Sequence, residues 1–301
     1  MSLSIYVKIT LLLAVLTGLL MAIGYVVGLY FGNPLFFMLI ALAFAGIFNF
    51  LAYFYSDSIV LRMSGAKLIN ESDNPTLYSV VRNVSQRAGI PMPKVGIVET
   101  QQANAFATGR GPEKAVVVAT TGILKTLSPE ELEAVIGHEI GHVIHRDVLL
   151  TSIAATIAGA ISYIGNIAFY SLWFGGVGGR DRNGGSALFM ILAAILIPLG
   201  ASFIQLGISR NAEYNADEYG AKVTRNPVGL IRALEKISSS VMRTPPKQSQ
   251  GGTPSPATSA LWIVNPFKGS SLLELFSTHP STEHRIERLK KIAREMNIYI
   301  P

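Results

Sequence analysis

The sequence predicts a mainly α-helical membrane protein, with four transmembrane helices in two hairpins and a cytoplasmic α+β domain that the second hairpin splits. Three observations lead there. The apolar runs are too long for a small globular core, the segments between them have ordinary globular composition, and cations gather on one side of the runs.

Half of the 301 residues are hydrophobic and 15% are charged, against about a quarter charged in soluble domains. The apolar excess lies in four runs: Ile9 to Tyr30, Leu35 to Tyr55, Leu149 to Phe174 and Ala187 to Ile208. Each has about 20 residues or more without a charge, enough for a helix to cross a hydrocarbon core of ~30 Å. The first run is too long for a cleaved signal peptide and turns at Gly32-Asn33-Pro34 straight into the second, which makes a hairpin. The chain thus divides into hairpin 1 (1–55), a first globular part (56–147), hairpin 2 (148–208) and a second globular part (209–301). Lys8, Arg62, Lys67, Lys125, Arg146 and Arg210 lie near span ends on one side, and the loop of the first hairpin has no charge. This positive-inside bias puts both termini and the globular parts in the cytoplasm of a multi-pass protein of the cell (inner or plasma) membrane.

The net charge of +6 does not indicate nucleic acid, because no basic stripe with interleaved aromatics is present. Cations scattered beside acids suit an anionic lipid surface instead. The absence of cysteine excludes disulfides, Cys-ligated zinc and thiol catalysis together.

In the first globular part, Asn74-Pro75-Thr76 opens a helix through Arg87 with Leu77, Val80, Val81 and Val84 on one stripe. Short β-like runs at Val95 to Val98, Ala103 to Ala107 and Ala115 to Ala119 suggest a small sheet. Ser128-Pro129-Glu130-Glu131 starts the next helix with an N-cap serine, proline at the first position and a capping-box glutamate. In the second part, helices run from Ser209 to about Thr224 and from Val228 to Met242. Thr244 to Ser259, rich in Pro, Gly, Ser and Gln, reads as a loop or insert. A final amphipathic helix from about Ser281 turns Ile286, Leu289, Ile292 and Met296 inward.

The helix opened by Ser128 carries His138-Glu139-Ile140-Gly141-His142. Positions i and i+4 lie one above the other on a helix face. His138 and His142 therefore both reach one zinc ion at the ~2.0–2.1 Å that nitrogen ligands need. Glu139 lies about 100° around the helix from His138, beside the metal, where a base for an activated water belongs. The competing reading, two structural histidines that happen to be four residues apart, is weakened by the apolar flanks. His145 is too far along the helix to share that metal: it rises ~10 Å from His138, while ligands of one zinc stand ~3–3.5 Å apart. The third ligand must come from elsewhere, and Glu213 and Asp217 share a helix face just beyond the fourth apolar run. Glu213 is the better candidate, with Asp217 orienting a ligand imidazole, but spacing alone leaves the choice between them open. If both ligand helices run on continuously from their membrane spans, the zinc lies roughly 10 Å from the membrane surface.

His138-Glu139-x-x-His142, Glu213-x-x-x-Asp217, the flanking hairpins and Thr278-His279-Pro280 together resemble the HtpX family of membrane zinc metalloproteases, which is related to the CAAX prenyl endopeptidases. The likeness covers nearly the whole chain, apart from the insert at 244–259. It implies a zincin-like catalytic domain in which His138, His142 and Glu213 bind one Zn2+ and Glu139 is the catalytic base. It also implies a cytoplasmic active site and substrates among misfolded or damaged membrane proteins, a role in quality control and stress response. Asn104-Ala105-Phe106-Ala107 is similar to a family strand that borders the cleft, where an edge strand holds an extended peptide by its main chain; an ordinary buried strand is the alternative. His279 either stabilises the oxyanion or packs at a helix start before Pro280. His284 and Arg285 are expected on the surface of the final helix or in a salt bridge.

Three other functions fit less well. An intramembrane protease would need the motif at mid-bilayer, and Ser128 to Glu131 and His145 to Asp147 are too polar for that. A non-catalytic zinc adaptor would need a fourth protein ligand, and a transporter would need ionisable groups within its spans. Unfolded polypeptides and the lipid bilayer are the expected partners, and the oligomeric state is not legible.

Overall fold

The computed structural model describes residues 2–175, 209–243, 261–263 and 280–300. The fourth apolar run, the insert at 244–259 and His279 lie outside the described residues.

Two helices, α1 (Ser2–Tyr30) and α2 (Pro34–Ser64), are long and apolar enough to cross a membrane. Asn33 caps α2 by accepting the Phe36 N–H, and Pro34 sits at the first helical position, so the chain reverses within a few residues. The helices pack antiparallel, and Asn49 Nδ2 donates to Thr17 Oγ1 across them at 2.9 Å. Such a bond holds helices together where no water competes. Leu11, Leu39, Ile47 and Phe50 point outward, as side chains that meet lipid do. α2 continues as one helix through Ser64, past Tyr55 where its apolar run ends.

The globular part is built on a four-stranded sheet, β1 (Lys67–Leu68), β2 (Lys94–Val98), β3 (Ala105–Thr108) and β4 (Val116–Thr120), ordered β1-β2-β4-β3. β2 and β4 run parallel, with Val95 opposite Val117, and the other pairs are antiparallel. Side chains alternate between the faces of a strand, and both faces here are covered. Val95, Ala105, Ala107, Val117 and Ala119 pack into the main core, while Phe106, Val116 and Val118 join Val60, Ala155, Leu261 and Trp262 on the other face. This explains why β4 reads as an unbroken apolar run rather than as an alternating one.

The main core is closed by α3 (Pro75–Ala88), α5 (Pro129–His145) and α8 (Pro227–Arg243), with α7 (Arg210–Thr224) against α5 and α9 (Thr282–Glu295) against α7 and α8. A short α4 (Thr121–Thr126) follows β4. Asn74 caps α3, Ser128 closes a capping box with Glu131 at the start of α5, and Ser281 caps α9.

α6 (Asp147–Gly175) follows α5 without a loop, yet the two helices meet at 88°. Arg146, at φ 62, makes the corner in the left-handed region. The first half of α6 then packs on the membrane hairpin, where Leu149, Ile153 and Ile157 meet Ile9, Leu12 and Leu16. At the start of α7, Ser209 is extended (φ −129, ψ 127) rather than helical. The expected continuity of both ligand helices with their spans is therefore overturned, and the ~10 Å height derived from it loses its premise.

Candidate metal centre

α5 and α7 cross almost backbone to backbone. A Cβ on Gly220 would stand 2.6 Å from the His138 nitrogen, and one on Gly141 would stand 3.0 Å from Ala216 Cα. The first separation is shorter than a Cβ tolerates and the second is tighter than most contacts, so glycine at these positions permits the close approach. It brings His138 and His142 of α5 and Glu213 of α7 to one point. His138 Nε2 and His142 Nε2 are 3.2 Å apart, His142 Nε2 is 3.4 Å from Glu213 Oε1, and His138 Nε2 is 3.7 Å from Glu213 Oε2. Donors at ~2.0–2.1 Å around one tetrahedral zinc ion lie about 3.3 Å from each other. Two imidazoles and a carboxylate in this triangle fit that ion, and three protein donors are the number found in catalytic zinc sites. Asp217, the other candidate third ligand, is placed on His138 instead of at the triangle. His145 is turned away, its ring edge-on to Tyr219 at 5.8 Å between centroids.

Each imidazole is held from behind by a carboxylate. Asp217 Oδ1 is 2.9 Å from His138 Nδ1, and Asp147 Oδ2 is 3.4 Å from His142 Nδ1. A proton kept on Nδ1 leaves the Nε2 lone pair for the centre. Asp147 reaches His142 because the Arg146 corner swings the start of α6 back across α5, a contact the sequence reading did not include.

Arg285 corrects the expectation of a surface residue and answers the alternative of a salt bridge. Its side chain is buried at 1% exposure. It grips Asp217 through Nε–Oδ2 at 2.9 Å and Nη2–Oδ1 at 2.6 Å, lies 3.3 Å from Glu213, and donates from Nη1 to the Ile263 carbonyl at 2.8 Å. The signal was present in the sequence, since Arg285, Leu289, Ile292 and Met296 repeat at i, i+4, i+7 and i+11 along the inward stripe. Burial alone would raise the Asp217 carboxyl, but Arg285 and His138 outweigh it and hold it below the usual range.

The two imidazoles shift in opposite directions: burial and the neighbouring Arg285 cation hold His138 below its usual range. Burial opposes a charge on His142, yet Asp147 and Glu213 push its pKa up to about 10. Glu139 is buried beside the ligands and pushed up to about 8, mainly by burial and further by Glu213, while the Ala107 backbone N–H bonds to its carboxylate.

Of the strand expected to border the cleft, Ala107 lines the small cavity shared by His138, Glu139, His142 and Glu213. β3 is an edge strand. Asn104 is fully buried, and its Oδ1 accepts the Ile263 N–H at 3.0 Å. Ala105 faces the main core and Phe106 the opposite face of the sheet. Leu261, Trp262 and Ile263 also wall the cavity, and nothing in their own sequence pattern singled them out.

The family model for peptidase family M48 matches residues 71–293. A protein named Protease HtpX homolog from Thermococcus sibiricus is 49% identical over 300 residues, covering 99% of each chain. A protein of the same name from Pyrococcus furiosus is 49% identical over 298 residues, again covering 99% of each. One from Aquifex aeolicus is 47% identical over 283 residues, covering 93% of this chain and 90% of its own. The crystal structure of S. mikatae Ste24p aligns over 95% of this chain and 67% of that one, with a TM-score of 0.48 and 18% identity. A family match over most of the sequence, full-length relatives at nearly half identity and two membrane-length helices lead to one assignment: this chain is a membrane metalloendopeptidase and belongs to peptidase family M48.

Proposed function

We propose that the chain is a zinc endopeptidase that hydrolyses peptide bonds in misfolded or damaged membrane proteins, with its catalytic part on the cytoplasmic face. The observation that carries the reading is the convergence of His138, His142 and Glu213 beside a buried Glu139. His138, His142 and Glu213 would hold the zinc ion, which when bound acidifies water and polarises a carbonyl. Glu139 takes the proton of the attacking water and delivers it to the leaving amine, its carboxylate held in place by the Ala107 N–H. Asp217 and Asp147 keep the two imidazoles in the tautomer that faces the centre. Asn104, just before β3, and Ala105 and Phe106 within it belong to the segment that aligns an extended substrate, and His279 stabilises the charge that develops on the carbonyl oxygen. Asp147, Val148 and Thr151 of α6 wall the cavity, and the same helix packs on α1. This junction suits segments that emerge from the membrane.

The test is cleavage of a destabilised membrane protein and of unfolded casein by the detergent-purified full chain and its Glu139→Gln variant. Loss of about a thousandfold or more in the variant, with zinc retained and the wild type inhibited by a chelator, is expected. Equal cleavage by both proteins would contradict the role of Glu139. A wild type that cleaves casein as efficiently as the membrane protein would contradict the substrate class.

A further inference from the structure

The small cavity at the metal ligands has two unlike sides. On one, the His142 and Asp147 side chains keep 14% and 15% of their surface exposed, and Thr151, Ser209 and Ala212 are half-buried. This side is the mouth. On the other, Ala107, Val148, Leu261, Trp262 and Ile263 are buried, none more than 8% exposed. Among the described residues this floor carries no charge, and His138, Glu139 and Glu213 supply the remaining wall.

The floor is firmly held. The Ile263 backbone is fixed twice, its N–H by Asn104 Oδ1 at 3.0 Å and its carbonyl by Arg285 Nη1 at 2.8 Å. Arg285 also grips Asp217 behind His138, so this wall and the metal ligands hang on one side chain. Trp262 joins a buried cluster with Phe106 of β3, Val60 of α2 and Ala155 of α6. An indole packed among three elements has little room to yield, so it excludes what does not fit rather than adapting to it. The cavity is about 40 Å3, whereas an apolar cavity that takes benzene measures about 150 Å3.

We propose that Trp262 determines specificity at the peptidase site: it closes the floor so that only a small uncharged side chain fits beside the scissile bond. The proposal deepens the peptidase reading above and rests on it. The ligands and the indole wall the same small space, so a side chain next to a carbonyl at the ligands meets the indole within a few atoms. A large side chain would have to push Trp262 out of its cluster. A charged one would lose its water against apolar walls without gaining a partner. The rival reading makes Trp262 a core residue that only supports β3, and it expects a loss on every substrate alike.

The experiment uses the zinc-loaded full-length protein in nanodiscs and peptides that carry alanine, phenylalanine, aspartate or lysine at each position flanking the scissile bond in turn. At one position the wild type is expected to cleave the alanine peptide about tenfold more efficiently in kcat/KM than the other three. Trp262→Ala should raise kcat/KM on the phenylalanine peptide above the wild-type value, a gain that misfolding does not produce, while the charged peptides stay poor. Val148→Ala opens the floor from α6 and should shift the preference the same way by less; it decides alone if Trp262→Ala does not fold. Metal-dependent cleavage by the wild type that ignores size or charge at every position overturns the subsite and leaves the peptidase reading intact. Folded variants that lose activity equally on all peptides assign Trp262 to the core and overturn the proposal. Failure of the wild type to cleave any peptide would overturn the underlying reading, and the subsite with it.

Discussion

In the α1–α2 hairpin many large side chains face outward, and a Cβ added at Gly18 or Gly46 would meet nothing within 4 Å. At the α5–α7 crossing, a Cβ on Gly137 would stand 2.6 Å from Thr224 Cγ2, and a fully buried arginine bridges Asp217 and Glu213 at the candidate centre. Both are pairs of helices. The first is defined by composition, because lipid accepts many apolar side chains in the same place. The second is defined by distance, because donors around one ion must be placed to within a few tenths of an ångström. Near its turn the hairpin is as tight as the crossing, since a Cβ on Gly24 would stand 2.6 Å from Ala41 Cβ, so the contrast holds for its outward face: changes at the crossing should cost far more than changes there.

The largest effect on stability is expected from Arg285→Ala. It takes the guanidinium from the buried carboxylates of Asp217 and Glu213 and leaves Asp217 with His138, and removing one partner of a buried pair costs about 3–5 kcal/mol. Thermal unfolding in detergent and zinc affinity should both fall. Replacing Arg285 and Asp217 together by Met and Leu should cost less than Arg285→Ala alone. If it costs as much, the arginine acts through packing rather than charge.

A smaller contrast comes from adding one methyl group in each region. Gly220→Ala forces the α5 and α7 backbones apart and should lose about 1–3 kcal/mol of stability, together with metal affinity. Gly46→Ala should be neutral or stabilise by up to about 1 kcal/mol, since alanine favours helix and the site is open. Similar losses at both positions, measured by unfolding and zinc titration, would remove the distinction between the two regions.

The smallest effect should come from within the hairpin. Asn49→Leu removes the bond to Thr17, and interhelical hydrogen bonds in membranes average only about 0.6 kcal/mol. Unfolding should shift slightly, with zinc content and peptidase activity unchanged. A collapse of metal binding in this variant would mean that the hairpin shapes the centre directly.

What the sequence revealed follows the same division. The extents of α3 and α8, the start of α5 and the end of α1 were legible because period, proline and capping residues act locally, as at Asn74-Pro75 and Ser128-Pro129. The strands β2, β3 and β4 were legible to within a few residues as short β-branched or alanine runs. The clustering of His138 and His142 was readable because they share one helix, whereas spacing alone left Glu213 and Asp217 as alternatives for the position that Glu213 occupies. The rest depended on tertiary geometry. The 88° corner at Arg146 has no glycine or proline to announce it, so α5 read as continuous with the span after it. Asp147 acquires its place at His142 only through that corner. Leu261 to Ile263 reach the cavity through contacts with Asn104 and Arg285 that no local pattern encodes.

The most direct test of the centre is zinc X-ray absorption on the full-length protein and its Glu139→Gln and Glu213→Ala variants. Wild type and Glu139→Gln should both show two imidazole nitrogens and one carboxylate oxygen from the protein at ~2.0–2.1 Å. In Glu213→Ala the carboxylate donor should vanish or the metal be lost. An unchanged zinc spectrum in Glu213→Ala, or a third imidazole in the wild type, would contradict the placement of the metal at the α5–α7 crossing.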